Sequence, residues 1–257
     1  MTNENLKLDN MLKSLEEIFD NLPEHRQGKN NHYEIADAGM GAFSVFFTQS
    51  PSFLAYQRDM KLRKGRSNAE SLFALREIPS DNQIRNLLDP INPQYLERCY
   101  RQIFQGLEQS GILKGYRSFA NTLLVAIDGT EYFSSQKIHC EQCSQRTLSN
   151  GKTKYYHSVV TPVIVQPGNE HVISLEPEFI TPQDGTEKQD CEIQAAKRWL
   201  EKHGNYYAKQ LMTILGDDLY SRQPFCQELK DKNFHFILVC KPDSHINLYE
   251  TVDFLGA

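Results

Sequence analysis

Two groups of side chains in this 257-residue sequence have the types and spacing to do chemistry. The first is a pair of aspartates that each close an apolar run. Asp128 follows TLLVAI, and Asp217, with Asp218 beside it, follows LMTILG. In open α/β sheets ligands bind at the carboxyl ends of strands. Carboxylates converging there supply hard oxygen ligands suited to Mg²⁺ or Mn²⁺, with Asp218 as an alternate to Asp217. Aspartate after a strand is also a common turn residue, the more so in Asp128-Gly129, and the residues alone leave both readings open. The second group is His139-Cys140-Glu141-Gln142-Cys143, with His157 downstream. A Cys-x-x-Cys pair can hold half of a tetrahedral zinc site, for which Cys140, Cys143, His139 and His157 are the candidate ligands. The plainer alternative is a polar hairpin with reduced thiols.

A third feature is electrostatic. Residues 58–66 (RDMKLRKGR) carry Arg58, Lys61, Arg63, Lys64 and Arg66 against one aspartate. Such a run can neutralise phosphates without reading base sequence, or it can be the solvated face of a helix. The formal net charge is -5, but it is unevenly spread. Residues 1–50 hold four Lys/Arg and eight Asp/Glu, residues 51–120 eleven and seven, and residues 121–257 thirteen and eighteen. A basic segment therefore lies between two acidic ones.

The elements that must position these residues change character near residue 120. Before it the apolar spacing is helical: Leu8, Met11, Leu12, Leu15, Ile18 and Phe19, then Ile35, Ala38, Ala42, Phe43 and Phe46, then Leu96, Cys99, Tyr100, Ile103, Phe104 and Leu107. Ser50-Pro51 predicts a helix start, and Ser80-Asp81-Asn82-Gln83 a capping box. After it, TLLVAID, YHSVVTPVIV, HVISLEPEFI, LMTILGD and FHFILVC read as strands. Thr186-Glu187-Lys188-Gln189 predicts a second capping box, opening a helix that His203-Gly204 ends. Trp199 in that helix reads as core packing. The expected order is β-β-β-α-β-α-β, an α/β domain behind a helical one.

Composition narrows the class. Hydrophobic residues make up 39% and charged residues 24%, which excludes both a membrane-spanning protein and a disordered tail. The first residues show no basic start followed by an apolar stretch, so the expectation is a cytoplasmic protein with no membrane partner. Six cysteines without an export signal argue against a disulfide framework.

IDGTEYFSSQKIHC, PEFITPQDGTEKQDCE and ILGDDLYSRQPFC, with SPSFLAYQ, GRSNAESLF and IPSDNQIRNLLDP, resemble the DDE-type insertion-sequence transposases, in the branch of insertion-sequence family four. The resemblance spans nearly the whole chain. It implies an α+β two-part chain: a helical, DNA-binding region over 1–118, then an RNase H-like catalytic domain with a mixed sheet over 119–257. It implies that Asp128 ends the first strand and Asp217 the fourth, with Tyr220 following, as catalytic metal ligands. Asp218 stands where the family pattern has Arg. The implied activity is DNA phosphoryl transfer in transposition, cleavage at transposon ends and strand transfer into a target, assisted by two Mg²⁺ or Mn²⁺ ions about 4 Å apart. The implied partners are DNA and either a second copy or full-length transposase. The family's third acid, a late glutamate, has no match; no family motif surrounds Glu250. The chain is therefore expected to be a truncated, inactive transposase lacking its C-terminal helix. The alternatives are a non-catalytic DNA-binding remnant and a zinc-dependent interaction module.

Overall fold

The computed structural model describes residues 6–28, 32–62, 69–75, 77–182 and 191–256. The chain divides into two units, Met1–Ser110 and Gly111–Ala257. Helices fill the first and a strand-rich region the second, an α+β layout. Among the described residues no helix is long and apolar enough to cross a membrane.

The first unit contains helices Leu8–Asp20, Ile35–Phe47, Phe53–Lys61, Asp81–Leu88 and Glu97–Gln109. The helical spacing seen in the sequence turns Leu12 and Phe19 inward, where they pack with Met40, Phe73 and Leu75. Gly39 is needed for close helix approach, since a Cβ there would lie 2.6 Å from the Phe19 ring. Ser80 caps its helix as expected, its Oγ accepting from the Gln83 N–H at 3.3 Å. The expected cap at Ser50 is displaced. The helix begins at Phe53 and Ser52 is its cap, accepting from the Ala55 N–H at 3.1 Å, while Ser50 bonds the Thr48 hydroxyl.

The second unit is built on two sheets. Strands β1 (Leu123–Ala126), β5 (Val163–Val165), β6 (Ile173–Ser174), β8 (Met212–Gly216) and β9 (His235–Leu238) form one, in the order β6-β5-β1-β8-β9. β1, β8 and β9 run parallel, whereas β5 and β6 are antiparallel to their neighbours. The other sheet joins β2 (Gly129–Ser135), β4 (Thr153–Val160) and β3 (Ser144–Thr147), with β7 (Glu178–Ile180) along β4. β1 leads into β2 and β4 into β5, so one pair of antiparallel arms serves both sheets. Ala126 pairs Val163 and Gly129 pairs Val160, and the ladder is interrupted between them at Ile127-Asp128 and Thr161-Pro162. Proline has no N–H to contribute there.

Helix Glu192–Tyr207 packs Ala195, Ala196, Trp199, Leu200 and Tyr207 inward, so Trp199 is core, as expected. The helix does not end at His203-Gly204; both are buried within it. A Cβ on Gly204 would come 3.0 Å from the Lys232 side chain. The capping box expected at Thr186–Gln189 lies outside the described residues. Buried acids tie the helix to the strands. Glu178 on β7 accepts from Arg198 Nε and Lys202 Nζ, each at 2.8 Å. The fully buried Glu176 accepts from the Tyr207 hydroxyl at 2.6 Å. Tyr207→Phe removes a donor from a buried carboxylate and is expected to cost about 1.5–3 kcal/mol. Urea denaturation followed by the fluorescence of Trp199, the sole tryptophan and stacked on Tyr207 at 5.6 Å, measures it.

Candidate functional site

The parallel register of β1 and β8 brings the two aspartates together. Ala126 lies opposite Leu215, so Asp128 and Asp217, each two residues farther on, leave the sheet side by side at its carboxyl end. The Ile127 N–H donates to the Leu215 carbonyl at 2.9 Å, carrying the pairing to the residue before Asp128. Both aspartates are exposed. Each engages one oxygen in a local turn: Asp128 Oδ1 accepts from the Gly129 N–H at 2.8 Å, and Asp217 Oδ1 from the Leu219 N–H at 2.9 Å.

A third carboxylate stands with them. Glu192, the first residue of its helix, is half-buried against Gly129, where any Cβ would collide with its carboxylate. Burial pushes the Glu192 carboxyl above its ordinary range, and the negative charges of Asp128 and Asp217 push it further. The buried Tyr220 phenol completes the wall. Burial and the charges of Glu192, Asp128 and Asp217 hold it well above the ordinary range, so it stays a neutral donor. Its hydroxyl interacts with the Glu192 carboxylate, although no hydrogen bond of full geometry forms. The sequence reading missed Glu192 because no apolar run or paired motif marks it. The available signals were Gly129, which tolerates the close approach, and the block PEFITPQDGTEKQDCE, which ends at Glu192.

Asp218 does different work. Its Oδ1 accepts from the Lys241 N–H at 2.7 Å, and both its oxygens from the Ser244 hydroxyl, at 2.6 and 2.7 Å. These bonds hold its carboxyl below the usual range and pin the segment after β9. The carboxylate charges acting on Glu192 are those of Asp128 and Asp217, so Asp217 is the neighbour that belongs to the acidic group.

The cysteine cluster also comes together. Cys140 and Cys143 lie in the turn before β3, and His157 on β4 faces them. The two Sγ atoms are 3.8 Å apart, and each is 3.3 Å from His157 Nε2. Among the described residues this is the group of three whose ligand atoms all lie within 4.8 Å of one another; the three carboxylates are more widely spaced. His139 is not drawn in. Its ring stacks on Tyr155 at 4.3 Å and its Nδ1 is 3.3 Å from the Lys137 carbonyl.

No protein family and no curated protein matches the chain. A solved structure, "Crystal structure of the Mos1 mariner paired end complex with Mn", aligns over 91% of this chain and 69% of its own, at 14% identity and a TM-score of 0.21. Overlap at that level constrains neither fold nor chemistry.

Of the basic stretch, Arg58 and Lys61 are exposed in the last turn of helix Phe53–Lys61, where they also suit the helix dipole. Arg63, Lys64 and Arg66 lie outside the described residues.

The raised Glu192 carboxyl has a measurable consequence. The folded state binds its proton more tightly than the unfolded chain, so stability falls as pH rises from the ordinary value of 4.5 through the raised one. Glu192→Gln is therefore expected to melt higher than the parent at neutral pH, with the difference vanishing below the ordinary carboxylate range. Thermal melts at a series of pH values test this; a difference independent of pH would remove the electrostatic cause.

Proposed function

We propose that this chain is a DNA phosphoryltransferase of the transposase type, acting at the ends of a mobile element through Asp128 and Asp217; Glu192, a third carboxylate beside them, replaces the expectation of an inactive chain with one of measurable activity. The observation that carries the reading is the β1–β8 register, which sets the two aspartates side by side at the carboxyl edge of one sheet. That edge is where open sheets bind ligands, and these are the two acids that the family resemblance marks as metal ligands.

The donor set fits a hard divalent cation. Among the described residues no cation pairs with these three carboxylates; burial and, after it, the charges of Asp128 and Asp217 raise the Glu192 carboxyl, and the group would also repel a phosphodiester. Mg²⁺ or Mn²⁺ held by Asp128 and Asp217 would offset these charges. When bound, the metal supplies Lewis-acid stabilisation of an in-line displacement at phosphorus. The residues themselves orient and exclude. Exposed Asp128 and Asp217 are open to a DNA backbone, and the neutral Tyr220 phenol closes the inner wall. Glu192, its carboxyl raised first by burial and then by the charges of the other two, stands beside them at the start of its helix.

The test is nicking of supercoiled plasmid DNA in Mg²⁺ or Mn²⁺. Asp128→Asn and Asp217→Asn are each expected to slow it by about 10²–10³-fold, the loss of roughly 3–4 kcal/mol of transition-state stabilisation. Nicking that is absent, or indifferent to Asp128, overturns the catalytic reading and leaves a DNA-binding protein.

DNA engagement by the helical unit rests on the basic stretch. Replacing Arg58 and Lys61 by Ala is expected to weaken binding about equally across unrelated duplexes, because phosphate contacts carry no base information. The slope of log K against log salt should become shallower by about 2, close to one released counterion per lost contact. Fluorescence anisotropy over a salt series measures both, and unchanged affinity would make this a solvated face.

A further inference from the structure

We infer that Cys140, Cys143 and His157 form a zinc site that clamps the connection between β2 and β3 onto β4, with the fourth coordination position open to solvent. This assignment stands independently of the phosphoryl-transfer reading, since it uses none of the same residues.

The geometry is that of three corners of a tetrahedron. With Zn–S near 2.3 Å and Zn–N near 2.0–2.1 Å, tetrahedral angles place two sulfurs about 3.8 Å apart and sulfur and nitrogen about 3.5 Å apart. The observed separations are 3.8 Å between the sulfurs and 3.3 Å from each sulfur to His157 Nε2. Two thiolates and an imidazole are soft and borderline donors, a set that selects zinc over magnesium or calcium. The six cysteines are free thiols, so no disulfide competes for this pair.

The surroundings hold the donors in place. The Cys140 N–H donates to Cys143 Sγ at 3.4 Å, a bond that offsets charge on a thiolate. The Cys143 N–H donates to the Cys140 carbonyl at 3.2 Å and closes the turn. On the other side the His157 ring stacks on Tyr132 at 5.8 Å with 16° between planes. Cys143 is buried and Cys140 exposed, so the open corner faces water. His139, engaged with Tyr155 and the Lys137 carbonyl, leaves that corner to solvent.

The ribbon also has need of a clamp. β2 and β3 are mostly exposed, with Ser144 the buried residue of β3 and none fully buried in β2. Strands that bury so little contribute little core of their own, and metal ligation is one way a small structure makes up that deficit.

The experiment is metal analysis of the purified chain and titration with Co²⁺ in place of Zn²⁺. One equivalent of zinc per chain is expected, together with thiolate-to-cobalt charge-transfer absorption and the visible bands of tetrahedral cobalt. Cys140→Ser, Cys143→Ser and His157→Ala should each weaken Co²⁺ binding at least 100-fold, while Cys99→Ser and Cys191→Ser leave it unchanged. His139→Ala should also leave it unchanged; a loss as large as that of Cys143→Ser would overturn the three-ligand assignment. A variant that fails to fold does not stall the test, because chelating the metal from the intact chain should raise hydrogen exchange over residues 136–157. Absence of stoichiometric zinc, or of the charge-transfer band on cobalt loading, overturns the site.

Discussion

Parallel pairing of β1 with β8 is the constraint on which the second unit depends. Parallel neighbours cannot be joined by a tight turn, so the chain must make a long excursion before it returns beside its first strand. The ribbon, β5, β6, β7 and the helix Glu192–Tyr207 all belong to that excursion. The helix delivers Glu192 to the end of β1 because its body is fastened to the strands. The Glu178–Arg198–Lys202 group and the Glu176–Tyr207 bond perform that fastening in largely buried surroundings, where an unpaired carboxylate would be costly.

The acidic edge shows the opposite economy. Around Glu176 and Glu178 each carboxylate has a donor or a cation facing it. At Asp128, Asp217 and Glu192 the charges face one another, with a buried phenol as their neighbour. The one helix thus pairs Arg198 and Lys202 with a buried acid and, at its start, brings Glu192 up to two further carboxylates.

The sequence made the strongly buried elements legible and the polar ones obscure. TLLVAID and LMTILGD stand out because β1 and the start of β8 are buried, and continuous apolar runs follow from that. GTEYFSS became β2 unannounced: its residues are largely exposed and its partners lie on β4, so pairing with distant backbone and not its own composition makes it a strand. Ser144–Thr147 is hidden for the same reason. His203-Gly204 looked like a stop signal, yet the helix runs on to Tyr207, whose buried side chain bonds Glu176. Of the acidic group, Asp128 and Asp217 were legible because each follows an apolar strand. Glu192 was not, because only the fold brings a helix start to Gly129. The cysteine pair was legible from its spacing, whereas the choice of His157 over His139 required the register of β4.

The antiparallel pair shared by the two sheets has a mechanical consequence. Its two arms, β1–β2 and β4–β5, run without a break from one sheet into the other, with the ladder between them interrupted between Ala126–Val163 and Gly129–Val160. A load applied to β2 and β4 therefore travels along covalent bonds and meets its softest point where inter-strand bonding lapses. β1 beyond that point is gripped on both edges, by β5 and by β8, and resists. Because the Ile127 N–H is still held by the Leu215 carbonyl, torsion would gather after it, at Asp128, where the arm leaves one sheet for the other.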